Sequence, residues 1–167
     1  MSIDFFKRLL WFFVLALIQV FVLNHVHMFG FVTPLLYVYF VLVFPSNEPK
    51  WTVLLWSFAL GIVIDTFSNT PGVASASMTL VAALQPYILQ PFISRDSDER
   101  IIPGIHTMGF AKFFYYSLIL MFLYCLAFFS LEMFNFFNWL YWLECIGGST
   151  VLTLVLIWVI DSARRNG

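Results

Sequence analysis

Six apolar segments follow one another along this chain, and every charged residue stands in a break between them or within a few residues of a segment end. No other feature limits the fold so tightly, because a helix needs about 20 mostly apolar residues to cross the roughly 30 Å hydrocarbon layer of a bilayer. The segments run from about residue 5 to 23, 32 to 44, 51 to 65, 71 to 92, 110 to 131 and 142 to 160. The second and third have short strictly apolar cores, so their ends must borrow flanking residues. A soluble domain is about 45–50% apolar and about 25% charged. This chain of 167 residues is 62% hydrophobic and 10% charged, more apolar surface than a water-soluble core of that size can hide. The expectation is an all-α membrane protein: a single integral membrane domain over residues 1–167, built as a six-transmembrane-helix bundle.

The basic residues test that count independently. They are Lys7, Arg8, Lys50, Arg95, Arg100, Lys112, Arg164 and Arg165. Six spans put the N-terminus, the break near residue 48, the 94–112 loop and the C-terminus on one side, and all eight basic residues fall there. Random placement of four basic segments among seven would sort this way roughly once in 35 trials, so the positive-inside rule predicts both termini cytoplasmic. Five or seven spans would break the pattern. Lys7 and Arg8 before an oily run resemble a signal peptide, but Asn24-His25-Val26-His27 follows rather than a small-residue cleavage site, so the first segment is expected to stay as a span. Trp51 near one face and Trp139, Tyr141 and Trp142 near the other suit the wet and oily boundary of a bilayer. Residues 134–142 read either as a short helix along the outer surface or as a simple hairpin loop.

Asp65 is the most demanding residue. Only 14 residues separate it from Lys50, about 21 Å of helix at 1.5 Å each, so it should lie below the outer surface. A carboxylate there needs a partner or a proton. Thr70-Pro71 reads as a helix N-cap followed by proline at the first helical position. That would bring the unpaired N–H groups of a fourth helix close to Asp65, with Ser68, Asn69 and Thr70 adding hydrogen bonds. On this leading reading Asp65 organises a buried turn. Three functional readings compete: a proton or ion site, a metal site shared with His25 and His27, and a contact for a partner protein.

The fourth segment is rich in small residues, including Gly72, Ala74, Ser75, Ala76, Ser77, Ala82 and Ala83, which let backbones approach closely. It is expected to be the central, most enclosed helix, bent at Pro86, its small face receiving a helix of this chain or of a partner. Cys125 and Cys145 lie in apolar context and read as small core residues rather than a disulfide framework. Gln19, Gln85 and Gln90 are isolated polar residues, read as interhelical hydrogen-bonders, and Asp161 reads as an end residue at the cytoplasmic boundary. Glu132 and Glu144 read as interfacial charges. No metalloprotease, nucleophile-elbow or phosphate-loop motif is present, and no basic patch suits nucleic acid. Neither catalysis nor a cofactor or metal is expected. The 94–112 loop is a solvated connector or a docking site for a cytoplasmic partner.

Thr33-Pro34-Leu35-Leu36 opening the second segment, then Gly61-x-x-x-Asp65, then Pro71-Gly72 opening the fourth, resembles MreD, the rod shape-determining membrane protein family of bacteria. The stretches NHVHMFGFVTPLLYVYF and IDTFSNTPG are similar to MreD proteins of Bacteroidota, and the likeness extends over essentially the whole chain. The resemblance implies a fold like the substrate-binding S-components of energy-coupling-factor vitamin transporters and a non-catalytic scaffold of the cell-elongation complex in the inner membrane. It implies MreC as direct partner, acting through it on RodA, a class B penicillin-binding protein and MreB filaments to support side-wall peptidoglycan synthesis. For Pro34, Gly61, Asp65, Pro71 and Gly72 it implies a structural or interaction role. The alternative is a vitamin-binding transporter subunit. Such subunits carry small residues at every fourth position of the first span, where this chain has only Ala16.

Overall fold

A computed structural model describes residues 2–21, 36–44, 49–69, 71–93, 103–133 and 139–165. Among them only helices and their turns occur: α1 (Ser2–Phe21), α2 (Tyr39–Leu42), α3 (Lys50–Ser68), α4 (Val73–Leu89), α5 (Ile105–Met108), α6 (Phe110–Met133) and α7 (Trp139–Arg165). Short 3-10 turns at Leu36–Val38 and Gln90–Phe92 extend α2 and α4. Among the described residues three helices are long and apolar enough to cross a membrane, over Lys50–Phe67, Phe110–Glu132 and Trp139–Ala163. Phe13 and Leu17 on α1, Leu55 and Phe58 on α3, Phe122 on α6 and Val155 on α7 all face outward. In water such a surface would aggregate, whereas against acyl chains it costs nothing to expose. The described residues are all helix and turn, and their long apolar helices make this a membrane protein.

Successive elements run in alternating directions, and specific contacts fix this. Against α1 the buried segment 36–44 is antiparallel: Gln19 meets Leu36, Phe12 meets Phe40, and Arg8 lies over the Phe44 ring at 5.0 Å. Helices α3 and α4 pair antiparallel from Asp65 with Ala74 at one end to Lys50 with Tyr87 at the other. Gln85 and Phe92 meet Tyr116 near the start of α6, and Phe110 and Phe114 meet Trp158 near the end of α7. The starts of α1, α3 and α6 therefore share one end of the bundle with the close of segment 36–44, of α4 and of α7. Lys7, Arg8, Lys50 and Lys112 all belong to that end.

The helix bounds differ from the sequence reading in instructive ways. Helix α3 covers residues 50–68 and α6 covers 110–133, close to expectation. Helix α7 begins at Trp139, so Trp139–Trp142 are the first turn of a long helix, not part of a separate surface helix or a hairpin loop; residues 134–138 lie outside the described residues. Helix α4 runs through Pro86 to Leu89, with Gln90 N–H donating to the Pro86 carbonyl.

The centre of the molecule is also not where the sequence placed it. Helix α4 leaves Ala76, Leu80, Ala83 and Tyr87 exposed, while from 36 to 42 every residue is at most 4% exposed. Tyr37, Tyr39 and Phe40 occupy the middle with Phe113, Tyr116 and Tyr124. This segment is rich in aromatic and β-branched residues, which favour helix only weakly, and among the described residues it is one 3-10 turn followed by one α-helical turn. It is stable at that depth because side chains satisfy its free backbone groups, the condition under which short or broken helices persist inside a bilayer. Leu36 N–H donates to Gln19 Oε1 at 3.1 Å. The Tyr116 hydroxyl donates to the Leu42 carbonyl at 3.1 Å, and Gln85 Nε2 donates to the Tyr116 oxygen at 3.0 Å and to the Phe44 carbonyl at 3.4 Å. Gln19 and Gln85 are thus interhelical hydrogen-bonders, as expected; Gln90 is exposed in its 3-10 turn.

Candidate functional site at the α3–α4 junction

A helix begins with N–H groups that have no partner within it, and an N-cap side chain usually satisfies those of the second and third positions. Helix α4 has glycine at its N-cap: Gly72, at φ +83°, offers no side chain. Asp65 takes that role from the neighbouring helix. Its Oδ1 accepts from Ala74 N–H at 2.8 Å and its Oδ2 from Ser75 N–H at 3.0 Å, the second and third positions of α4. The same residue's backbone carbonyl accepts from Asn69 N–H, where Asn69 closes α3 in the left-handed conformation at φ +56°. One residue thus caps the end of α3 and the start of α4. Asp65 is 6% exposed, and the two N–H bonds satisfy both of its carboxyl oxygens inside the bundle.

Gly61 lies one turn below Asp65 on the same helix face. A Cβ there would sit 2.3 Å from Ser75 Cα and 2.7 Å from Ser75 N, so only glycine lets α4 come close enough for its N–H groups to reach the carboxylate. The spacing Gly61-x-x-x-Asp65 is one physical device: the glycine sets the distance and the acid makes the bonds. Pro71 and Gly72 form the turn between the helices, and the positive φ of Gly72 is a backbone state that side chains disfavour.

The sequence reading placed the start of α4 at Pro71 with Thr70 as cap. Pro71 instead belongs to the turn, Gly72 is the cap residue and Val73 opens the helix. The cap comes from Asp65 because its bidentate geometry fits two N–H groups at once. Thr70, His25, His27 and Pro34 lie outside the described residues, as do Arg95 and Arg100. Among the described residues no three His, Cys, Asp or Glu side chains are grouped to hold a metal ion. Cys125 and Cys145 are buried free thiols, and Glu132 and Glu144 are exposed.

Above the turn lies an open depression of about 390 Å³ lined by Ile62, Asp65, Thr66, Asn69, Pro71, Gly72 and Ser75. It brings together Asp65, Asn69, Pro71, Gly72 and Ser75, all singled out from the sequence. The Thr66 hydroxyl donates to its own helix at the Ile62 carbonyl, 2.8 Å away, leaving the side chain exposed at the rim.

A second buried acid carries more than its sequence reading as an end residue assigned. Asp161, 4% exposed, accepts from the Tyr39 hydroxyl at 2.9 Å and from Ile105 N–H at 2.8 Å. It ties α7, the central segment and the first residue of α5 into one cluster. The only sequence signal was an acid directly after an apolar run; its partners lie 56 and 122 residues away along the chain. Tyr37 and Tyr124 form a third buried polar contact through their hydroxyls, which pattern reading had no means of pairing. Compared with protein-family models, curated proteins and solved structures, the chain matches none.

Proposed function

We propose that this protein is a non-catalytic membrane scaffold of the MreD kind. It would act within the bacterial cell-elongation complex, binding MreC and, through it, supporting the RodA and penicillin-binding-protein machinery that builds side-wall peptidoglycan along MreB filaments. The observation that carries this reading is the union of Gly61, Asp65 and Gly72 in a single interlocking joint. These are described members of the residue set on which the resemblance rests, and the joint explains their spacing by geometry. A rigid α3–α4 pair with an open depression at its head suits a protein whose work is to present a surface.

The same reading holds a six-span bundle in the inner membrane with both termini cytoplasmic. Support comes from the alternating element directions and from the gathering of Lys7, Arg8, Lys50 and Lys112 at one end, which the positive-inside rule assigns to the cytoplasm. The fold likeness to energy-coupling-factor S-components keeps a vitamin-binding subunit as the competing reading. Against it stands the filling of the bundle centre by Tyr37, Tyr39, Phe40, Phe113, Tyr116 and Tyr124, each at most 2% exposed.

Co-purification tests the proposal. The chain, tagged and co-expressed with MreC, should bring MreC with it through mild detergent extraction. Recovery of the chain alone would overturn the scaffold reading, and a vitamin-sized ligand retained after native purification would favour the transporter reading instead.

A further inference from the structure

Lys50 and Tyr87 hold each other at the end of the α3–α4 pair opposite Asp65. Lys50 Nζ donates to the Tyr87 hydroxyl at 2.9 Å and lies 4.4 Å from the centre of the same ring. Two attractions therefore fix the ammonium, one to the phenol oxygen and one to the π face, where an exposed lysine stem is ordinarily free to swing. Both side chains are exposed. Among the described residues Lys50 meets no carboxylate. Asp161, at the same end, is buried and uses both oxygens on Tyr39 and Ile105.

The donors of this pair outnumber its acceptors. An ammonium carries three N–H groups, and a hydroxyl that accepts one bond still has its own O–H to give. With one N–H spent on Tyr87, the pair presents two N–H groups and one O–H, and none of them has an acceptor among the described residues. Their heavy atoms are 2.9 Å apart, close enough for two oxygens of one phosphate to meet both. A charged donor beside a neutral one suits such an oxyanion.

The surroundings are apolar. Lys50 opens the apolar stretch Lys50–Phe67, and Trp51 beside it is 68% exposed, as an indole at the edge of a bilayer is. The exposed Leu55 and Phe58 continue along α3, and the exposed Leu80 and Ala83 lead along α4 to Tyr87. A phospholipid carries its phosphate on acyl chains and matches both the donors and this oily approach; a soluble oxyanion matches only the donors.

We propose that Lys50 and Tyr87 bind the phosphodiester of an anionic phospholipid, whose acyl chains lie along the exposed sides of α3 and α4. A zwitterionic lipid fits less well, because its own cation offsets the charge that Lys50 recognises. The bound lipid bridges the lower end of the helix pair, as Asp65 bridges the upper end, and sets the depth of α3 in the bilayer. The inference needs neither the scaffold nor the transporter reading.

Native mass spectrometry of the detergent-solubilised chain, titrated with phosphatidylglycerol, tests it. The parent should retain this lipid under conditions that strip phosphatidylcholine. Lys50→Gln should weaken retention about tenfold, and Tyr87→Phe, which keeps the ring, about threefold. Lys112→Gln, which alters another exposed lysine of the same end, should behave as the parent. Parent-like retention by folded Lys50→Gln would overturn the proposal, as would a loss in Lys112→Gln as large as that in Lys50→Gln. Phosphatidylglycerol with a photoreactive headgroup gives a readout that no variant's folding affects: its adducts on the parent should map to residues 50–55 and 83–90, and adducts confined to other segments would refute the site. Millimolar inorganic phosphate should not displace the lipid; displacement would give the pair to a soluble oxyanion instead. Glu48 lies outside the described residues, and Glu48→Gln should retain lipid as the parent does. A gain of about tenfold there would show that Glu48 occupies the ammonium, and would also refute the proposal.

Discussion

At the level of single residues, the fold depends on positions where no other side chain satisfies the geometry. Gly61 is the sharpest case. An alanine methyl group would have to displace the α4 backbone at Ser75. Overpacking of this kind costs about 1–3 kcal/mol, so Gly61→Ala should lower the thermal midpoint in detergent, while Gly147→Ala, inside α7 and meeting nothing within 4 Å, should hold or raise it. Asp65 is tested by a graded pair. Asn keeps one acceptor oxygen; Ala loses both bonds to α4. Loss of a cap costs about 0.5–2 kcal/mol, and leaving two buried N–H groups bare adds to it. Thermal midpoints should therefore fall in the order parent, Asp65→Asn, Asp65→Ala; equal midpoints for Ala and the parent would show that the cap contributes nothing. The need for an acid partner at residue 65 was legible from its 14-residue distance to Lys50 and the depth of a bilayer. The identity of the bonded N–H groups was not, because it depends on where α4 begins.

At the level of elements, the segment 36–44 shows why an apolar run does not by itself define a helix. Its composition announces burial, yet its described helix is brief, and Tyr116 and Gln85 satisfy the carbonyls left over at its end. Tyr116→Phe removes the hydroxyl that both Gln85 and the Leu42 carbonyl use. The cost should be about 1–3 kcal/mol for an unsatisfied buried group, read as a lower midpoint and faster amide hydrogen exchange across residues 36–44. Tyr115→Phe, one residue away and exposed, should change neither. Asp161 serves the same purpose for α5. Asp161→Ala should speed exchange at the Ile105 amide, whose bond at 2.8 Å it removes, more than at amides in the middle of α6. The polar residues were visible in sequence as interruptions of oily runs. Their partners were invisible, since Gln85 and Tyr116 are 31 residues apart and Tyr39 and Asp161 are 122 apart, and no local pattern encodes such separations.

At the scale of the whole molecule, the reading is one of direction and sidedness. Cysteines placed at residues 69 and 141 should react with an impermeant thiol reagent from outside intact cells, and one at residue 112 only after the cytoplasmic side is opened. Labelling of residue 69 only from the inside would invert the bundle and overturn the cytoplasmic assignment of the basic end. What the sequence determined by itself was the apolar solvent, the helical class and the need of Asp65 for a buried partner. These follow from local composition and the 3.6-residue period, which a linear chain carries whole. Tertiary structure alone decided which element lies at the centre, which N–H groups Asp65 caps, and that Asp161 joins three elements at once. Those outcomes depend on packing among side chains distant in sequence: the small residues of α4 are divided between a buried and an outward face, and the aromatic residues from 36 to 44 are among the most deeply enclosed.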